Sequence, residues 1–196
     1  MTGWHRLERF SWILGASLLA TWTGLRGYGA WASARAMEQF EERVEPADMS
    51  QWSESRRHHY EESLKRALPP AIGILTIPKV GLKAPLFEGT DDTALDRGVG
   101  HIDGTNLPGG AGNVGIAGHR DGFFRGLKDL GVGDVIVLKT VADTETYVVA
   151  ETRIVPPEDM SVLDPTSVPS LTLVTCYPFY FVGPAPQRYI VRAVRR

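Results

Sequence analysis

The chain has 196 residues, with 21 Lys+Arg against 23 Asp+Glu, 43% hydrophobic residues, 21 Gly, 13 Pro and one Cys. That length holds one globular domain plus an appendage, and a formal net charge of −2 removes the cationic field on which a dedicated nucleic-acid binder relies. A single Cys closes no intramolecular disulfide and builds neither a zinc finger nor a CxxC redox pair, so the fold stands on its hydrophobic core.

Residues Phe10 to Leu25 carry no charge and follow basic Arg6 and Arg9, the flank that stays on the cytoplasmic side of a membrane. Sixteen residues at ~1.5 Å each reach about 24 Å; Tyr28 to Ala32 extend the helix toward the ~30 Å hydrocarbon core if Arg26 snorkels. Residues 1–35 read as a single-pass anchor with a cytoplasmic N-terminus and an extracytoplasmic remainder. The A-x-A sequences Ala30-Trp31-Ala32 and Ala32-Ser33-Ala34 keep a cleaved signal peptide open as the competing reading.

Residues 36–70 are polar and charge-mixed and read as a helical stalk broken at Pro46. Asp48 with Gln51 resembles an N-cap with its reciprocal partner, and Trp52, Tyr60, Leu64 and Leu68 fall at roughly helical spacing. Glu61, Glu62, Lys65 and Arg66 can pair across one turn, and the expected task of the segment is to hold the next domain off the membrane. His58 and His59 point to different helix faces with no third ligand nearby, which reads as a solvated face rather than a metal site. Pro69-Pro70 ends the helix.

From Ala71 onward, short β runs alternate with Gly, Pro, Asn and Asp. Strands are predicted at Ile72–Ile77, Lys83–Phe87, Asn113–His119, Val135–Leu138, Thr146–Val155, Leu171–Tyr177 and Tyr189–Val194, with helical turns at Thr93–Gly98 and Phe123–Leu130. Seven or eight strands over residues 71–196 predict an all-β domain, a closed barrel or a sandwich. There is no αβαβ alternation, GxGxxG or Walker sequence to support a nucleotide-binding fold.

Cys176 ends the apolar run Leu171-Thr172-Leu173-Val174-Thr175-Cys176, just before a Pro-rich loop. His119 ends Gly115-Ile116-Ala117-Gly118-His119, 57 residues earlier, and Arg188 opens Arg188-Tyr189-Ile190-Val191, 12 residues later. One thiol, one imidazole and one fixed cation thus belong to three strand termini that a barrel can gather. A thiolate is the nucleophile and a neighbouring cation favours it; imidazole exchanges protons near neutral pH, and guanidinium meets an oxyanion with two donors. Together they describe acyl transfer. Arg192 shares a face with Arg188 and is the alternative cation, whereas Arg120 should face away from His119.

At Asn113-Val114-Gly115-Ile116-Ala117-Gly118-His119-Arg120-Asp121, Thr172-Leu173-Val174-Thr175-Cys176-Tyr177-Pro178 and Arg188-Tyr189-Ile190-Val191 the sequence resembles the sortases, membrane-anchored cysteine transpeptidases of bacterial surfaces. Gly98-Val99-Gly100-His101 and Leu107-Pro108-Gly109 extend the likeness over about residues 71–196, and the TLVTCYPF wording is most like class D. The resemblance implies an eight-stranded sortase-type β-barrel with short helices over 71–196, preceded by the membrane helix and stalk. It implies Cys176 as the nucleophile on the Thr carbonyl of an LPxTG- or LPxTA-like sorting signal. His119 is then the acid and later the base, and Arg188 the oxyanion residue.

Thr175 is expected to touch the intermediate or the signal, His101 and Asp121 to support the site, and the loops Val155 to Ser170 and Pro178 to Gln187 to flank the groove. Expected partners are secreted proteins with such a C-terminal signal and an amine acceptor, a cell-wall peptide or a pilin lysine. No cofactor and no required metal are expected: Glu158, Asp159 and Asp164 share a loop, but calcium asks for six or more oxygens. Two other readings carry different requirements. An L,D-transpeptidase needs an SHGC-type element and a papain-like protease a CGSCW segment with Cys before His, and neither string occurs. A catalytically silent peptide-binding barrel would tolerate loss of Cys176, His119 or Arg188.

Overall fold

The computed structural model of the protein describes residues 12, 15–23, 48–67, 70–180 and 183–196. They belong to two compact units, Met1–Gln39 and Phe40–Arg196. In the first, residues 15–23 are helical (α1), and the hydroxyls of Thr21 and Thr23 donate to the carbonyls of Ser17 and Leu19 one turn back. Among the described residues no helix is long and apolar enough to cross a membrane. The rest of the expected span, both A-x-A sequences, Pro46, Leu68 and Pro69 lie outside the described residues.

In the second unit eight strands close into a barrel: β1 (Gly73–Ile77), β2 (Leu82–Glu88), β3 (Val99–His101), β4 (Asn113–Ala117), β5 (Val135–Thr140), β6 (Thr144–Val155), β7 (Ser170–Tyr177) and β8 (Gln187–Arg195). Their spatial order is β1-β2-β3-β4-β7-β8-β6-β5. The β2–β3 and β4–β7 neighbours are parallel and the others antiparallel. Helices α2 (Glu54–Ser63) and α3 (Asp92–Arg97) and three 3₁₀ turns decorate the barrel. Strand β3 is only three residues long and carries no pattern of its own; the other seven match the expected runs within two residues at each end.

Alternation sends Ile136 and Leu138 of β5 and Tyr147 and Val149 of β6 into the barrel, where they meet Leu75, Leu86, Ile116, Leu171 and Leu173. Strand β7 is buried on both faces for a separate reason. Its Leu171 and Leu173 fill the interior, while Val174 packs outside with Val155, Val162, Leu163 and Ile190 under the 3₁₀ turn Met160–Leu163. Asn113 ties that turn down: its Nδ2 donates to the carbonyls of Val162 and Asp164, both at 3.2 Å, and its Oδ1 accepts from Thr172 Oγ1 at 2.7 Å. Asp159 caps the turn by accepting from Ser161 N at 3.1 Å.

The segment expected as a spacer is, over residues 48–67, part of the barrel's packing. Trp52 is 6% exposed, inside the main core, with its ring edge-on to Phe123 at 4.9 Å and to Tyr60 at 5.7 Å. The helix also starts later than the sequence indicates. Asp48 accepts from Ser50 N in a local turn, and Ser53 is the N-cap, its Oγ accepting from Arg56 N at 3.2 Å. Of the expected charge pairs, Lys65 meets Glu62 at 2.6 Å. His58 and His59 are both exposed, their rings 6.5 Å apart.

Candidate active site

Register brings the thiol and the guanidinium together, with the imidazole segment leaving the neighbouring strand. Cys176 on β7 is the direct antiparallel partner of Arg188 on β8. On the other side of β7, β4 runs parallel, with Ala117 opposite Val174 and Gly118 N donating to Val174 O at 3.2 Å. His119 follows two residues after Ala117, just beyond the end of β4. With a side-chain period of two, Cys176 shares the outer face of β7 with Thr172 and Val174, and Arg188 shares the corresponding face of β8 with Ile190 and Arg192. Thiol and guanidinium therefore stand opposite each other on neighbouring strands, and the His119 segment leaves the strand on the other side of β7. Cys176 is free and half-buried.

The same register decides between the two candidate cations. Arg192 pairs with Thr172, four residues from the thiol, and its Nη2 donates to Val162 O at 2.7 Å, holding the 3₁₀ turn. Arg188 faces Cys176 and donates to the neighbouring carbonyls of Ala185 at 3.3 Å and Gln187 at 3.0 Å.

Beta structure ends at Ala117 rather than His119, and the reason lies in Gly118. A Cβ there would stand 2.7 Å from the ring of fully buried Phe124, so only glycine lets the chain turn this close over the barrel and present His119. Thr175 fastens the turn: its Oγ1 donates to Gly118 O at 2.7 Å, linking the nucleophile strand to the imidazole segment. Thr175 is 2% exposed, and this hydroxyl is directed into the protein.

His101 is likewise 2% exposed. Its Nδ1 lies 2.9 Å from Glu88 Oε1, and its Nε2 lies 3.0 Å from Asn106 O and 3.1 Å from Thr105 Oγ1. Both ring nitrogens hold β3 and its following loop.

Around His119 the structure assembles groups that the sequence reading did not bring together. Asp96 of α3, almost buried, places Oδ1 3.7 Å from His119 Nε2. The Arg56 guanidinium of α2 meets Asp96 at 2.5 Å and Asp121 at 3.2 Å. Burial is the main force holding the His119 pKa below its ordinary value. Arg56 pushes the same way, against Asp96, Asp121 and Asp92. Burial and Arg56 together favour the neutral imidazole.

On the far side, Arg120 Nη2 donates to Gly183 O at 2.9 Å and Arg125 Nη1 to Phe179 O at 3.0 Å, so the segment after His119 grips the β7–β8 loop. The Arg125 guanidinium also lies 4.2 Å from the centre of the exposed Tyr180 ring. Among the described residues no cluster of three or more His, Cys, Asp or Glu could hold a metal ion. Chemically, a thiol and a guanidinium paired across the sheet, with an imidazole on the segment after β4, are groups that could support acyl transfer.

A family model described as the Sortase domain matches residues 75–196. Sortase D of Bacillus subtilis (strain 168) is 40% identical over 134 residues, covering 68% of each chain. Sortase A of Streptococcus agalactiae serotype III (strain NEM316) is 33% identical over 116 residues, 55% of this chain and 47% of its own. Among solved structures, a Clostridium perfringens sortase D5 transpeptidase superposes with a TM-score of 0.61 at 27% identity, over 83% of this chain and 97% of its own. The chain belongs to the sortase family, a family of cysteine transpeptidases.

Proposed function

We propose that the protein is a membrane-held sortase that cleaves an LPxTG- or LPxTA-like sorting signal after its Thr and passes the acyl group to an amine, anchoring surface proteins or joining pilins. The observation that supports this reading is the pairing of Cys176 with Arg188 across β7 and β8, with the His119 segment tied to β7 on its other side through Gly118. The Cys176 sulfur attacks the Thr carbonyl carbon, its proton passing to His119, while Arg188 balances the charge on the oxyanion. The C–N bond then breaks as His119 returns the proton to the leaving amine. An incoming amine attacks the thioester, its proton goes to His119 and on to the departing sulfur, and Cys176 is regenerated. Residues 1–35 act as the anchor in this reading. They keep the enzyme beside substrates that are themselves membrane-held, which raises effective concentration so that weak peptide affinity suffices.

The test is intact mass of the enzyme after incubation with LPxTG and LPxTA peptides, with and without an amine. A mass gain equal to the peptide up to Thr is expected for the wild type, absent in Cys176→Ala and converted by the amine to a free amide product. Arg188→Lys loses the two-donor fork and should acylate about tenfold or more slowly. Unchanged peptide with folded wild-type enzyme would instead favour a silent peptide-binding barrel.

A further inference from the structure

The connection between β6 and β7, residues 156–169, carries one regular element, the 3₁₀ turn Met160–Leu163. A turn of four residues makes few bonds of its own, and the carbonyls at its C-terminal end need donors from elsewhere. Strands β4 and β8 supply them. Asn113 of β4, 0% exposed, donates Nδ2 to Val162 O and to Asp164 O, each at 3.2 Å. Arg192 of β8 adds Nη2 to Val162 O at 2.7 Å. Strand β7 fixes the orientation of the amide: Thr172 Oγ1 donates to Asn113 Oδ1 at 2.7 Å, and a flipped amide would set that oxygen against two carbonyls.

Three successive rungs on one face of β7 and β8 tie this turn to the chemistry. Cys176 pairs with Arg188, Val174 with Ile190, and Thr172 with Arg192. The middle rung packs against Val162 and Leu163, so the turn stands beside the thiol and guanidinium. The last rung, together with Asn113, pins it. A peptide whose carbonyl reaches Cys176 along this face runs against the turn. We propose that Asn113 and Arg192 are positioning residues for that peptide: converging on Val162 O, they fix the turn Met160–Leu163 before the peptide arrives, so that it meets a finished wall. A loose connection would lose conformational entropy at every binding event, whereas these bonds place that loss in folding.

The effect on a peptide rests on the transpeptidase reading above, whereas the hold on the turn does not, and the experiment separates them. Hydrogen exchange of the full-length chain, read by mass spectrometry, reports on the turn. Anisotropy of labelled LPxTG and LPxTA peptides with the Cys176→Ala form reports on binding without turnover. Arg192→Met keeps the stem and loses the donors; Asn113→Asp keeps the shape and the acceptor for Thr172 but turns an oxygen toward two carbonyls. Each should speed exchange over residues 156–168 about tenfold or more, with Val135–Thr140 unchanged, and weaken peptide binding about five- to twentyfold. With Cys176 present, KM should rise by the same factor and kcat stay within about twofold. Arg192→Lys restores one donor and should recover most of both.

Merely structural ties would lower the unfolding midpoint and leave peptide affinity and KM in place, and that result overturns the proposal. Unaltered exchange of the turn in folded Arg192→Met and Asn113→Asp overturns it as well, as does a loss confined to kcat. If Asn113→Asp does not fold, the Arg192 variants decide: faster exchange and weaker binding in Arg192→Met with recovery in Arg192→Lys uphold it, and wild-type behaviour in both overturns it. A wild type that binds the peptides but acylates none, with the variants altered as expected, upholds the positioning role and defeats the transpeptidase reading. A wild type that neither binds nor acylates them defeats both.

Discussion

The Thr175 hydroxyl, buried beside the nucleophile, spends its hydrogen on Gly118 O. Thr175→Val keeps the side-chain shape and removes that donor, so it should cost about 1–3 kcal/mol of stability in urea unfolding. It should also slow acylation, because the His119 segment loses its tie to β7. Thr175→Ser should recover most of both. Cys176, His119 and Arg188 stood out in the sequence because each type has a chemical task and each lies near a strand end. The choice between Arg188 and Arg192 was not legible there: both lie on one face at period two, and only the pairing of β7 with β8 puts Arg188 opposite the thiol. Arg56 and Asp96 were hidden for another reason. They sit on short helices among many other charged residues, 63 and 23 positions before His119, and nothing in local spacing joins α2 to α3 to the turn after β4.

Helix α2 is an ordinary polar helix by sequence, and its helicity was readable from its charge pairs. Its docking was not, because the anchoring residue lies just outside it. Trp52 precedes the Ser53 cap and carries the contact with Phe123. Asp48 and Ser53 are both good cap formers, so the sequence does not select between them; the local turn made by Asp48 does. Trp52→Ala should destabilise the protein by about 3–5 kcal/mol, measured by the shift in denaturant midpoint at constant slope. Midpoints within error of each other would show that α2 contributes no packing to the barrel. Strand β3 was missed because three residues present no alternation; it is held in place by parallel pairing with β2 and antiparallel pairing with β4.

At the scale of the molecule, the packing of residues 48–67 changes where an anchor can be removed. The compact unit runs from Phe40 to Arg196, and it includes Trp52 and Arg56. A form comprising residues 40–196 should keep the stability of the catalytic unit and its activity on free peptides. A form comprising residues 70–196 should melt at lower temperature and acylate more slowly, since it lacks both the core tryptophan and the guanidinium beside Asp96. Comparing the two by thermal unfolding and peptide mass gain checks this; equal behaviour would mean that α2 is a passive spacer. The barrel itself was foreseeable from strand count and resemblance. Its closure order was not, since two parallel neighbours, β2–β3 and β4–β7, interrupt the run of hairpins.

That order has a consequence for how the enzyme comes into being. Strand β8 sits between β7 and β6, and it is the last of the eight to leave the ribosome. Until it arrives, β6 and β7 each present an unpaired edge and the barrel stays open. The thiol of Cys176 is by then already synthesised, but Arg188, its partner across the sheet, is not. A nascent or prematurely terminated chain therefore carries the thiol without the guanidinium that faces it across the sheet. Closing the barrel and pairing Cys176 with Arg188 are one event.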